Sequence, residues 1–78
     1  MGVAVNLSEI GIERVGTVET NDIAVGNGLD VRVRTGEKLS EADCHKLEMY
    51  CRSLCTPPAS EVWLFVPGDE PRQFRCLQ

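Results

Sequence analysis

Four cysteines and a single histidine are the side chains of this 78-residue chain best suited to chemistry. Cys44, Cys51, Cys55 and Cys76 are separated by six, three and twenty intervening residues. Structural zinc sites usually carry two short knuckles, such as a pair of CxxC motifs, and none occurs here. Cys51 and Cys55, one helical turn apart, could supply two zinc ligands, with Cys76 and His45 completing the set. On a helix, however, His45 projects about 100° away from the cysteine stripe. The same angle separates Cys44 from His45, which leaves no thiol nucleophile beside an imidazole base. Free cysteine is a small apolar side chain and among the most buried residue types. The favoured reading is that all four thiols pack the core, and no metal or other cofactor is expected.

The carboxylates give no acid–base site either. Glu41 and Glu48 share a helix face but lie two turns apart, beside Arg52, as on a solvated surface. A working pair needs a cleft that shifts one pKa, and a chain of this length rarely builds one. Gly26-Asn27-Gly28 lacks the further glycine and the following helix of a phosphate loop, and reads as a turn. The chain is therefore not expected to be an enzyme.

Composition narrows the class further. Apolar residues make up 42% and charged residues 26%, with a net charge of −4, a profile of a globular protein. Residues 1–39 and 40–78 each carry four Lys/Arg and six Asp/Glu. With no basic stripe to neutralise phosphates, direct nucleic-acid binding is not expected. Acidic residues are interleaved with Lys38, Lys46 and Arg52, which also disfavours mimicry of DNA. The N-terminal stretch has no basic region and is broken at Asn6, too short for a signal peptide. Asn6 stands where a myristoylation motif wants Ser or Thr, and Cys76 is one place too late for prenylation. No window approaches the length of a membrane span. The expected address is the cytoplasm, where thiols stay reduced and disulfides are disfavoured.

The elements that must position these residues follow from periodicity. Val3, Val5 and Leu7 alternate as a strand. Residues 8–15 are ambiguous between strand and a short helix, with a turn near Glu13-Arg14, and Thr17 to Thr20 resume as strand. Ile23 and Val25, then Leu29, Val31 and Val33, flank a hairpin turn at Asn27-Gly28. Asp30, Arg32 and Arg34 mark the opposite face of its second strand, which meets water or a partner. Ser40 is placed to cap a helix over about 41–54, with Asp43 three residues on. Its apolar arc holds Cys44, Leu47, Tyr50, Cys51, Leu54 and Cys55. Glu41, His45, Glu48 and Arg52 form a polar ridge, in which Glu48 and Arg52 have favourable i,i+4 order. Met49 lies away from the core side. Thr56-Pro57-Pro58 ends the helix. Val62 to Val66, including Trp63, is nearly continuously apolar, as in a central strand. Pro67 to Pro71 is turn chemistry, and Gln73 to Leu77 is the last strand.

The expectation is a single α+β domain over residues 1–78. It has an antiparallel sheet of about four to six short strands in the order β-β-β-α-β-β, with one helix packed on one face. In this layout, acidic and without motifs, the chain resembles the small phage-encoded anti-CRISPR and host-takeover proteins. The resemblance lies in the order of elements over most of the chain, and no residues are carried over from it. It implies steric inhibition of a larger bacterial protein or nucleoprotein complex, where an acidic inhibitor gains encounter rate from a basic target. The candidate contact surface is the ridge Glu41, His45, Glu48, Met49 and Arg52. Trp63 is a further anchor candidate, although its apolar strand favours a core position. The alternatives are an assembly module, for example a phage particle component or a homodimer, and a cysteine-based metal-binding protein. No membrane partner is expected.

Overall fold

The structure is a computed structural model, and it describes residues 3–22 and 28–76. Five strands form one sheet in sequence order: β1 (Val3–Asn6), β2 (Gly16–Asp22), β3 (Gly28–Thr35), β4 (Glu61–Phe65) and β5 (Arg72–Arg75). A 3₁₀ turn, Leu7–Ile10, follows β1, and a single helix α1, Glu41–Ser53, joins β3 to β4. The element order and the α+β class are those read from the pattern of residues. The sheet itself departs from expectation, because it is mixed and not antiparallel throughout. β1–β2, β2–β3 and β4–β5 are antiparallel, whereas β3 and β4 are parallel. The reason is α1: a helical crossover returns the chain to the end of the sheet where β3 began, so the next strand must run the same way.

Local signals explain the boundaries. Ser40 Oγ accepts a hydrogen bond from Asp43 N at 3.2 Å, capping α1, which ends at Ser53 with Leu54 as its C-cap. Leu7 does not extend β1 but opens the 3₁₀ turn, where Asn6 N donates to Glu9 Oε2 at 2.8 Å. Residues 8–15 therefore contain a short 3₁₀ turn and a bend, settling their ambiguity. β2 and β3 pair antiparallel as expected, but Gly28, expected in the turn, opens β3, and Ile23, Val25 and Asn27 lie outside the described residues. The last strand is one residue ahead of expectation and stops at Arg75.

The core lies between one sheet face and α1. Leu7, Ile12, Val18, Val31, Leu47, Cys51 and Val62 are fully buried there. Leu64, Val33 and Leu39 complete the cluster, and Val5, Leu29, Cys44, Tyr50, Leu54 and Phe74 pack against it half-buried. Register places Val18, Val33, Val31, Leu64, Leu29 and Val62 on this side. The 3₁₀ turn and α1 lie on the same side, tied together where Lys46 Nζ donates to the Gly11 carbonyl at 2.7 Å. Among the described residues, the buried core and the one helix lie on this face of the sheet.

Candidate interaction surfaces

Two surfaces present ordered side chains outward: the solvent side of α1 and the sheet face away from it. On α1, Glu41, His45, Met49 and Arg52 are exposed and Glu48 is half-buried. Met49 is 60% exposed, one of three large apolar side chains this open among the described residues. Glu48 does not pair along the helix with Arg52. It accepts a hydrogen bond from Arg72 Nη1 of β5 at 2.6 Å, and His45 Nδ1 stands 3.8 Å from its other oxygen. Arg52 instead lies 5.7 Å from the centre of the Phe74 ring, also on β5. Pairing across to β5 replaces the i,i+4 pair because crossover and hairpin bring Arg72 and Phe74 alongside α1. The ridge is thereby fixed at two points to the sheet margin, with Met49 between them in sequence.

The sheet face away from α1 is built by register. Asp30 of β3 lies opposite Trp63 of β4, and Arg32 lies opposite Phe65. Glu19 of β2 lies opposite Arg32, and Gln73 of β5 opposite Trp63. Trp63 and Phe65 are half-buried. The Arg32 guanidinium sits 4.3 Å from the Phe65 ring centre and 3.6 Å from Asp30 Oδ2, a cation–π arrangement. Arg34 Nε donates to Glu19 Oε1 at 2.8 Å. Trp63 is thus not in the core. Strand alternation sends Val62 and Leu64 toward α1 and Trp63 and Phe65 the other way. The alternation of Asp30, Arg32 and Arg34 already marked this face in β3. What the sequence did not disclose is that β4 lies beside β3, which is what joins those charges to the two aromatics.

The cysteines divide into two sorts. Cys44 and Cys51 are free, half-buried and buried respectively. Burial, reinforced by the nearby Glu48 carboxylate, pushes the Cys51 thiol up to about 12, so it stays protonated and unreactive. Cys55 and Cys76 form a disulfide with Cα atoms 5.0 Å apart, correcting the expectation that all four thiols are free packing residues. The correction arises because the end of α1 and the end of β5 converge, a neighbourhood that a helix projection of Cys55 alone cannot reveal. This bond also occupies two of the thiols considered as zinc ligands. Among the described residues, no group of three His, Cys, Asp or Glu side chains is arranged to hold a metal ion.

The hollows are shallow. A groove of about 380 Å³ runs along Arg52, Cys55, Gln73, Phe74, Arg75 and Cys76, and another of about 250 Å³ along Arg32, Arg34, Phe65 and Pro67. The first contains no carboxylate or histidine, and the second only Asp69. Neither brings an acid and a base together, whereas a third hollow, of about 270 Å³, is lined by Glu13, Arg14, Asp43 and Lys46. Among the described residues, no helix is long and apolar enough to cross a membrane. Compared with known protein families, with curated proteins and with solved structures, the chain matches none.

Proposed function

We propose that the chain is a small non-enzymatic interaction module that inhibits a larger bacterial protein or nucleoprotein complex by occupying part of its surface, in the manner of an anti-CRISPR protein. The observation that carries this reading is the ridge on α1. An adaptable apolar side chain, Met49, stands 60% exposed among Glu41, His45 and Arg52. The helix beneath is fixed to β5 through Glu48–Arg72 and Arg52–Phe74. Such a ridge loses little freedom on docking, and that pre-organisation favours affinity. Met serves adaptable contact surfaces well because its side chain is unbranched and polarizable. The net charge of −4 favours a target with a basic surface by speeding encounter.

The proposed working compartment is the cytoplasm. Thiols there are kept reduced, so the module must keep its ridge with Cys55 and Cys76 unbonded as well. The apolar cluster around Leu47 and Cys51 provides for that.

The test is affinity purification of the tagged chain from its native host, with mass spectrometry of what co-purifies. A stoichiometric larger partner is expected with the unaltered chain. Capture should be lost with Met49→Glu, and it should weaken at least about ten-fold with Glu41→Lys, the loss shrinking at high salt as charge steering is screened. Equal capture by both variants, with melting temperatures unchanged, rules out the ridge.

A further inference from the structure

Strand β4 carries apolar side chains on both faces. Val62 and Leu64 face α1, and Trp63 and Phe65 face away from it. Strands apolar on both faces are typical of sheets covered on both sides, and among the described residues α1 and the 3₁₀ turn lie on one side only. We infer that the second cover is another copy of the same chain, packed sheet face to sheet face about a two-fold axis.

The arrangement of residues is self-complementary in the way such an axis requires. Asp30 and Arg32 are two residues apart on one face of β3, and Trp63 and Phe65 are two residues apart on the same face of β4. Register sets Asp30 beside Trp63 and Arg32 beside Phe65. An axis that crosses the strands midway between these two rows exchanges the rows. It brings Arg32 onto the partner's Asp30 and Phe65 onto the partner's Trp63, each contact occurring twice. Two-fold interfaces are isologous, so a patch must complement itself under one rotation, and this one does. The strands of the two copies then run antiparallel, within the ~30° alignment and ~10 Å separation usual for stacked sheets.

Charge selects the occupant. The face carries Arg32, Arg34 and Arg75 against Glu19, Asp30 and Glu61, so it is balanced on a molecule whose net charge is −4. Two copies repel elsewhere but not here. A single-stranded nucleic acid could stack on Trp63 and Phe65 but would meet no net positive field for its phosphates. The Arg32 guanidinium, over the Phe65 ring and 3.6 Å from its own Asp30, has further N–H groups to offer the second copy's carboxylate. Five strands at ~4.8 Å spacing and about five residues of length give roughly 400 Å² of flat face per copy. Side-chain relief enlarges that, yet a total of about 800 Å² falls below stable interfaces and among weak, transient ones. The dimer is therefore expected to exchange with monomer on dilution. Its two helix ridges point outward, so the same particle would present Met49 twice.

The experiment is sedimentation equilibrium of the full chain over roughly micromolar to millimolar concentration, with Trp63, the sole tryptophan, as an emission probe. The mass should rise to twice the monomer value, with a blue shift of emission. Arg32→Asp and Asp30→Arg should each raise the midpoint concentration at least about ten-fold, and the double swap should return it to within about three-fold, since the axis exchanges the two positions. Thermal melts of all three variants confirm that each is folded. Four results overturn the inference: a chain that stays monomeric throughout, a double swap as weak as either single change, a Trp63→Ala variant that dimerises as well as the original, or an oligouridylate that binds the face in place of the second copy. Met49→Glu should leave the midpoint unmoved, so failure here and failure of the ridge reading are told apart.

Discussion

At the scale of residues, burial decides which thiol can react. Cys51 is fully buried on the core side of α1 and its pKa is pushed up to about 12 by that burial, with Glu48 adding to it. Alkylation of the native chain near pH 8 should modify Cys44 and leave Cys51 untouched until denaturant is added, which peptide mass mapping would read. The same shift links to stability. The unfolded thiol loses its proton near its ordinary value of 9 while the folded one keeps it to about 12. The folded state therefore binds more protons in that window, and stability falls as pH rises through it. Urea midpoints should decline from about pH 9 upward, and Cys51→Val should flatten that decline. A second residue is fixed by close approach. A Cβ on Gly16 would collide with the Arg34 carbonyl oxygen and with Leu7, and neither backbone nor buried core can yield easily. Gly16→Ala should cost about 1–3 kcal/mol, measured by chemical denaturation.

At the scale of elements, α1 decides the topology. Its cap at Ser40, its apolar arc and its proline stop were all legible, because each depends on neighbours a few residues apart. The parallel pairing it imposes on β3 and β4 was not, because crossovers and hairpins differ in where the chain returns and not in local pattern. Trp63 illustrates the consequence. A near-continuous apolar run reads as central, and β4 is internal to the sheet, but half of its apolar side chains face away from α1. The end of α1 is also where the chain closes on itself. The Cys55–Cys76 bond, with a sequence separation of 21, joins the helix end to the end of β5. By loop-closure entropy it should contribute about 3 kcal/mol. Reduction, or Cys55→Ser with Cys76→Ser, should lower the melting temperature by more than about 10 °C while leaving the helical signal of the folded state in place. An unchanged melting temperature would remove the bond from the account of stability.

At the scale of the whole molecule, two surfaces face outward. One side of the sheet is closed by α1 and the 3₁₀ turn, and the outside of α1 offers the ridge of Glu41, His45, Met49 and Arg52. The other side offers Asp30, Arg32, Trp63 and Phe65, the face proposed to meet a second copy. Of the candidate ridge, the residues were legible from helix geometry, since the side opposite an apolar arc must face water. Their fixation was not: Glu48 has Arg52 one turn away and pairs with Arg72, 24 residues away in sequence. Surface ion pairs of this kind are worth ~0–1 kcal/mol, so Glu48–Arg72 orients the ridge more than it stabilises the fold.

By itself the sequence determined the order of strands and helix, the limits of the helix, and the outward turn of Asp30, Arg32 and Arg34. These depend on periods of two and 3.6 and on turn chemistry, which are properties of short segments. Only the tertiary structure decided that β4 runs parallel to β3, that Cys55 meets Cys76, that Glu48 meets Arg72, and that Arg32 stacks on Phe65 beside Trp63. Each of those joins residues 21 or more apart along the chain. Local pattern fixes the direction in which a side chain points, but its neighbours are fixed by the path the chain takes between elements.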